Sequence, residues 1–157
     1  MDERDRRHLT QAVDLAEAAL DAGDEPFGSV LVDASGVVLQ TAVNEAVHRN
    51  ATIHPELTLA QWAGDHLDAD ARAAATVYTS GEHCPMCSAA HAWVGLGRIV
   101  YASSSAQTAQ WYAELGGPAF PVSPLPITAV APGVAVDGPD EELAERVHEL
   151  HRRFRER

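Results

Sequence analysis

Two short motifs carry the side chains of this chain that are best suited to chemistry. The first is His54-Pro55-Glu56 and the second is Cys84-Pro85-Met86-Cys87. One imidazole and two thiolates are good zinc ligands, and a set of three protein ligands is typical of catalytic zinc sites, which keep a position for water. Glu56 is not needed as a ligand and can serve as a general base. The motifs therefore predict a hydrolytic zinc site with His54, Cys84 and Cys87 as metal ligands and Glu56 as the catalytic carboxylate.

The same motifs also allow simpler interpretations. The C-x-x-C pair could form a structural zinc site or a thioredoxin-like redox pair. Glu56 could be a charge that stabilises the start of a helix. The upstream His54, and the lack of an obvious fourth ligand, favour the catalytic interpretation. A fourth protein ligand in the water position would instead indicate a zinc-stabilised interaction module without enzymatic activity.

Both motifs are predicted to lie at helix starts. Pro55 suits the first position of a helix over residues 55–65, because its missing N–H would be unpaired there in any case. A second helix over residues 84–96 carries the C-x-x-C in its first turn, where both sulfurs can face one point. Strands over residues 76–80 and 98–102 flank this helix. A strand–helix–strand unit of this kind predicts locally parallel pairing.

The rest of the chain predicts further elements of a single α/β domain over residues 1–157. A loop over residues 44–53 leads to the first metal motif. The remaining expected elements are a helix over 8–22, a hairpin of strands 29–33 and 37–43, a helix over 108–115, a proline-rich loop over 118–126, an edge strand over 127–136 interrupted by a proline, and a helix over 140–155.

Composition excludes several classes of function. The 157-residue chain has a formal net charge of -12. This balance argues against a nucleic-acid partner, which needs a basic face, and favours a neutral small molecule. No apolar run is long enough to span a membrane. The charged N-terminus lacks a signal-peptide pattern, which leads us to expect a cytoplasmic protein. Both cysteines belong to the C-x-x-C, which favours metal or redox chemistry over a structural disulfide.

The combined motifs resemble the cytidine deaminase superfamily, and within it the small nucleobase deaminases typified by bacterial guanine deaminases. H-x-E followed by C-x-x-C is the signature of zinc-dependent deaminases. The resemblance covers roughly residues 8 to 115, and residues 118–157 match weakly. Its segments are Pro26-Phe27-Gly28-Ser29-Val30, Asn44 upstream of the metal motif, Tyr78-Thr79-Ser80-Gly81-Glu82-His83-Cys84-Pro85-Met86-Cys87, and Trp93.

The resemblance implies a fold, a cofactor and a reaction. The fold is a three-layer α/β/α sandwich with a central mixed five-stranded sheet, and the cofactor is Zn²⁺. The reaction is hydrolytic deamination of a free nucleobase or related aminated heterocycle, with zinc-activated water as nucleophile and guanine as the most common substrate. Alternatives are a nucleoside, cytosine or tRNA adenosine deaminase. A homodimer is also implied, and residues 118–157 are expected to shape the substrate pocket or the subunit contact.

Three substrate-binding residues follow from the same resemblance, namely Asn44, Phe27 and Trp93. Each has a simpler alternative: Asn44 as a turn residue, Phe27 as core, and Trp93 as partly core. Pro55 and His83 depart from the family's usual Ala and Pro, and the loop before His54 is about one residue short, which leaves the identity of the substrate open. His83 is expected at the surface, His91 as a packed or exposed helix residue, and Glu114 as an exposed glutamate rather than a proton shuttle.

Overall fold

The computed structural model describes residues 1–157 and contains one mixed sheet of five strands. Strands β1 and β2 form an antiparallel hairpin, β1 also pairs antiparallel with β3, and β3, β4 and β5 run parallel. The order across the sheet is β2-β1-β3-β4-β5. The strands are β1 (Gly28–Val32), β2 (Val38–Val43), β3 (Thr76–Gly81), β4 (Arg98–Ser103) and β5 (Val136–Asp137).

Seven helices cover the two faces of this sheet. They are α1 (Glu3–Ala22), α2 (Pro55–His66), α3 (Ala69–Ala74), α4 (Pro85–Val94), α5 (Ser105–Glu114), α6 (Ile127–Val130) and α7 (Glu141–Arg155). Helices α1 and α7 pack on one face together with Trp111 of α5, while α2 packs with α4 on the other. The predicted α/β architecture of three layers is therefore confirmed. None of these helices combines the length and the apolar character needed to cross a membrane.

The alternation of side chains along the strands divides the core into two layers. Val30 and Val32 of β1 join the cluster under α1 and α7, whereas Leu31 joins the cluster under α2. Tyr78 and Val77 of β3 divide in the same way. Successive side chains of a strand point to opposite faces, so a strand covered on both sides reads as continuously apolar. Strand β3 is thus fixed from both faces, and it ends immediately before the second metal motif.

Two predicted element boundaries are wrong at the ends of the chain. Helix α1 begins at Glu3 rather than near residue 8, because Asp2 and Asp5 form a capping box in which each side chain accepts the other's backbone N–H. The expected edge strand over 127–136 is instead the short helix α6 followed by β5, which has only two residues. The Ile127 N–H that a strand would use is bonded to Glu82 Oε1 at 2.9 Å.

Helix α3 was not predicted, and α5 begins three residues earlier than expected. None of the α3 residues is buried, so the helix has no apolar periodicity to reveal it, and it is capped instead by the side chain of Asp68. Helix α5 begins after Ser104, which forms a capping box with Gln107. In both cases polar capping, rather than a hydrophobic stripe, sets where the helix starts.

Candidate metal centre

Two helix starts meet at the predicted metal site, and they have the same local design. His54 is the N-cap of α2 and Cys84 is the N-cap of α4, and each is followed by a proline at the first helical position. An N-cap residue has extended backbone angles, so its side chain is free to leave the helix axis. Cys87 lies in the first turn of α4, one turn after Cys84. Because α2 packs against α4, the two starts lie side by side.

The three predicted ligands converge on one point. Nδ1 of His54 lies 3.6 Å from Sγ of Cys84 and 3.7 Å from Sγ of Cys87, and the three ligand atoms all lie within 4.8 Å of one another. Tetrahedral zinc, with bonds of about 2.3 Å to sulfur and about 2.0 Å to nitrogen, requires sulfur–nitrogen separations of about 3.5 Å. The donor set therefore fits zinc in both chemistry and spacing. No fourth His, Cys, Asp or Glu joins the group.

The ligands already favour a charged arrangement before any metal is considered. A hydrogen bond from Cys87 and another with His54 lower the pKa of Cys84 to about 4, against the opposing effect of burial. The hydrogen bond with Cys84, together with the charge of Glu56, raises the pKa of His54 to about 8 although burial opposes it. Cys87 donates to Cys84, which raises the pKa of Cys87. The lowered pKa of Cys84 favours its thiolate, whereas the thiol of Cys87 and a protonated His54 must each lose a proton when a metal binds.

Glu56 is buried beside the ligands but is not one of them. It is 6% exposed, and its Oε1 lies 2.8 Å from the Thr79 hydroxyl and 3.4 Å from the Ser29 hydroxyl. Burial raises the pKa of Glu56, and the charge of His54 and the hydrogen bond from Thr79 only partly offset it. A carboxyl with a raised pKa is suited to exchange protons near neutral pH.

Thr79 and Ser29 are site residues that the sequence analysis did not identify. They are directly paired across β3 and β1, and both are fully buried. The Ser29 hydroxyl donates to Thr79 Oγ1 at 2.9 Å, so the pair forms a small polar support behind Glu56. The available signal was the presence of hydroxyl residues within two strands that are buried, since buried polar groups usually have a partner.

Asn44 lies directly after β2 and is 1% exposed. Its Oδ1 accepts the Ala46 N–H at 2.8 Å, as in a turn, while its Nδ2 is buried without any hydrogen-bond partner. The two interpretations of Asn44 are therefore compatible. One end of the amide holds the loop, and the other is left as an unused donor. An unpaired buried donor is costly and calls for an explanation.

The structure gives Phe27 and Trp93 different surroundings. The half-buried ring of Phe27 lies against Gly81, where an added Cβ would come within 2.9 Å of it, and contacts His151 edge to face. Trp93 is 89% exposed on α4, and no other part of the chain covers it. The expectation that Trp93 is partly core is wrong, because its side of α4 points away from both α2 and the sheet.

His83 is also misplaced by the sequence analysis. It was expected at the surface, but it is 1% exposed, and its ring packs edge to face against His91. The turn from β3 into α4 is partly exposed at Glu82 and Cys84, but the side chain of His83 between them points into the protein. Of the two predictions for His91, packed or exposed, the packed one is confirmed. Its Nε2 lies 2.8 Å from the Gly97 carbonyl oxygen. Glu114 is exposed as expected and accepts a hydrogen bond from Gln110.

Known proteins resemble this chain in sequence and in structure. Over 105 residues it is 33% identical to a probable cytosine deaminase of Schizosaccharomyces pombe, a match that covers 67% of this chain and 64% of that protein. It is 32% identical over 103 residues to a guanine deaminase of Bacillus subtilis, covering 65% of this chain and 66% of that protein. Each match thus spans less than two thirds of the relative.

The solved structure of a guanine deaminase from Nitrosomonas europaea has a TM-score of 0.71 to this chain at 25% identity, covering 96% of this chain and 84% of that one. Residues 2–103, which include all three candidate ligands and Glu56, match the model of the cytidine and deoxycytidylate deaminase zinc-binding region. That range is well over half of the chain, and the chain belongs to this zinc-binding deaminase family.

Proposed function

We propose that this protein is a zinc-dependent hydrolytic deaminase that releases ammonia from a free nucleobase or related amino-heterocycle. The observation that carries the proposal is a buried carboxylate, Glu56, held beside a three-donor zinc site without serving as a ligand. A closed structural site would use four protein ligands. That is the argument against a zinc-stabilised interaction module.

The roles of the chain's own groups follow from their positions. When bound, zinc supplies a Lewis acid that makes water nucleophilic near neutral pH. Glu56 takes a proton from the attacking water and gives it to the ring nitrogen. It then transfers the remaining proton of that water to the exocyclic amine, so that the C–N bond breaks and ammonia leaves. Ser29 and Thr79 hold the carboxylate in place. The unpaired Nδ2 of Asn44 donates a hydrogen bond to an acceptor on the substrate ring.

Charge supports a small neutral substrate over a nucleic acid. The three arginines nearest to the metal motifs in sequence are all engaged within the protein. Arg49 pairs with Glu45, Arg72 donates to the carbonyls of Val94 and Leu67, and Arg98 pairs with Asp5 and Asp137. None is left to form the basic groove that a tRNA adenosine deaminase needs. Guanine is the first candidate, and the cytosine deaminase relative makes cytosine the second.

Residues 118–157 contact one of the predicted substrate-binding residues, because α7 brings His151 against the ring of Phe27. A surface pocket of about 550 Å³ lies between Tyr112 of α5 and residues 117–124, and none of the predicted site residues lines it. We propose that this part of the chain shapes the substrate pocket. The homodimer and the contacts of Trp93 and Phe27 with substrate stay predictions from the resemblance, and the cytoplasmic location stays a prediction from the charged N-terminus. Light scattering of the purified protein tests whether it forms a homodimer.

The deciding experiment is an ammonia-release screen of zinc-loaded protein. The compounds are guanine, cytosine, adenine, their nucleosides and aminotriazines, with wild type compared to Glu56→Gln. We expect wild type to turn over at least one free base, and Glu56→Gln to retain zinc while losing about 10²-fold or more of the rate. Glu145→Gln, an exposed change on α7, is the matched control and should leave the rate unchanged.

Two results would contradict the proposal. Retention of more than about a tenth of the wild-type rate by Glu56→Gln would remove Glu56 from general base catalysis. Absence of ammonia release from every compound would argue against a deaminase of these rings. Metal analysis of each sample keeps loss of zinc separate from loss of chemistry.

A further inference from the structure

We propose that Glu25 is a specificity-determining residue that accepts a hydrogen bond from a ring N–H of a free base, so that the same base is rejected when that nitrogen is alkylated or glycosylated. The inference rests on the proposed function and deepens it. It concerns which form of the heterocycle enters the site.

The backbone places Glu25 at the same end of the sheet as Asn44 and Glu56. The Phe27 N–H donates to the Glu25 carbonyl at 2.8 Å, closing a tight turn around Pro26. The Phe27 carbonyl in turn accepts the Asn44 N–H at 2.9 Å. Ser29, which lies beside Glu56, follows two residues later. Glu25 and Asn44 therefore lie on neighbouring segments of the chain, at the end of the sheet next to the candidate metal centre.

The Glu25 carboxylate has acceptor capacity that the protein does not use. Its Oε1 accepts the Tyr112 hydroxyl at 2.9 Å, its Oε2 has no hydrogen bond, and it forms no salt bridge although it is half-buried. The buried structural carboxylates behave differently, since both oxygens of Asp5 and both of Asp24 accept hydrogen bonds. A half-buried carboxylate without a paired cation is stabilised when a donor from outside the protein hydrogen-bonds to it.

The position of the Glu25 carboxylate is fixed by the hydrogen bond from Tyr112 of α5. The rings of Tyr112 and Phe27 both contact His151. The carboxylate therefore lies beside the same group of rings as Phe27, a predicted substrate-binding residue.

Glu25 and Asn44 together offer one acceptor and one donor. Nδ2 of Asn44 is a buried donor without a partner, and Oε2 of Glu25 is an acceptor that receives no hydrogen bond from the protein. A free nucleobase carries the matching pair on its edge: a carbonyl or ring nitrogen acceptor, and a ring N–H donor. In a nucleoside the sugar replaces that N–H. A site built to bind an N–H discriminates strongly against an analogue that lacks it.

The competing explanation is that Glu25 only orients Tyr112. The two accounts differ in what Tyr112→Phe does. If Glu25 contacts the base, Tyr112→Phe leaves the carboxylate in place and preserves discrimination. If Glu25 acts only through Tyr112, then Tyr112→Phe and Glu25→Ala give the same phenotype.

The test measures binding rather than turnover, so that it is independent of the deaminase proposal. Zinc-loaded Glu56→Gln protein is titrated by calorimetry with guanine and 9-methylguanine, and with cytosine and 1-methylcytosine. We expect at least one base to bind about tenfold or more tightly than its methyl derivative. Adding Glu25→Ala should weaken binding of the free base and leave binding of the methyl derivative nearly unchanged. The ratio of the two affinities should therefore fall below about threefold. Adding Glu25→Gln, which keeps the side-chain shape, should reduce the ratio in the same direction if the alanine variant does not fold.

Each other outcome has a definite meaning. Three results would overturn the inference. Glu25→Ala could weaken binding of the free base and of its methyl derivative equally, or Tyr112→Phe could cause the same loss of discrimination as Glu25→Ala. The third result is that none of the four compounds binds. Glu145→Ala serves as the surface control. If Glu25 is required to discriminate between a free base and its methyl derivative, but the wild-type protein releases no ammonia, the inference stands and the proposed function is wrong.

Discussion

At the scale of single residues, the site combines a buried donor without a partner and a buried carboxylate without a cation. Asn44 uses its Oδ1 to accept the Ala46 N–H and leaves its buried Nδ2 unpaired. Glu56 is hydrogen-bonded only by hydroxyls. An unpaired buried donor lowers stability unless a ligand accepts its hydrogen bond. This cost identifies Asn44 as a binding group more clearly than its residue type does.

Asn44→Asp tests this interpretation at one atom. The change keeps an oxygen to accept the Ala46 N–H and replaces the free donor by an acceptor. We expect the protein to fold and bind zinc, and kcat/KM for the base identified in the screen to fall about 10²-fold, since a substrate acceptor would face a carboxylate. Steady-state ammonia release provides the measurement.

Asn50→Asp is the matched control. Asn50 lies in the same loop and accepts the Thr52 N–H with its Oδ1, but it is exposed. Its change should leave kcat/KM within about twofold. Equal rates for Asn44→Asp and wild type would show that the Asn44 amide is only a turn residue.

At the scale of elements, side chains from outside the loop hold the segment between β2 and α2 in place. Asp24, directly after α1, accepts the N–H groups of Val47 and His48 at 2.8 and 3.2 Å and pairs with the His48 ring at 2.7 Å. Burial opposes its charge, but these hydrogen bonds prevail and hold the pKa of Asp24 below its usual range. The loop that begins with Asn44 and ends with His54 is thereby fixed to the end of α1.

Asp24→Asn should therefore change stability in a pH-dependent way. A carboxyl with a lowered folded-state pKa stabilises the protein above its unfolded pKa of about 4, and the stabilisation is lost as pH falls through the folded-state value. We expect the variant to be destabilised by about 1–3 kcal/mol at pH 7. The difference from wild type should shrink below about pH 4.

Urea unfolding of both proteins across this pH range makes the measurement. Asp65→Asn is the control, because Asp65 is exposed on α2 and has no hydrogen bond within the protein. A difference between wild type and Asp24→Asn that stays constant from pH 7 to pH 3 would contradict the ionic role of Asp24.

Glu82 makes a second connection between elements, at the end of β3. Its two carboxylate oxygens accept the N–H groups of Ser105 and Ile127, at 2.8 and 2.9 Å. One side chain thus holds the starts of α5 and α6 next to the turn that carries Cys84. The residues that match the family and the weakly matched C-terminal region are tied together at this point.

At the scale of the whole molecule, three arginines connect the layers of an acidic protein. The formal net charge is -12, and α7 uses Arg146 and Arg153 to pair with acids of α1. Arg98 joins α1 to β4 and β5 through Asp5 and Asp137. These three side chains therefore hold layers together rather than presenting a surface to phosphates.

This charge distribution predicts little dependence of catalysis on salt. For a neutral base, kcat/KM should change by less than about twofold between 50 and 200 mM salt, because no counterions are released on binding. A protein that neutralises several phosphates loses about 10³-fold or more in affinity over that range. Salt-sensitive binding of a polynucleotide, measured by fluorescence anisotropy, would contradict the prediction and favour the tRNA deaminase alternative.

The sequence by itself indicated the donor types of the candidate metal centre, the family and the α/β class. His54, Cys84 and Cys87 are recognisable because the ligand types and the prolines beside them are local features, and helix starts depend on a few adjacent residues. Runs rich in β-branched and aromatic residues indicated β1, β3 and β4. Elements without apolar periodicity were missed or misassigned, namely α3 and the region of α6 and β5.

Only the tertiary structure decided which distant polar groups meet. It paired Ser29 with Thr79 behind Glu56, brought Tyr112 to Glu25, buried His83 and left Trp93 exposed. These outcomes depend on strand register, on the side from which a helix packs and on which hydrogen bonds are left unmade, and all three are set by the packing of segments far apart in the chain. The type and spacing of residues specify which metal can bind, whereas the packing of layers specifies which substrate can reach it.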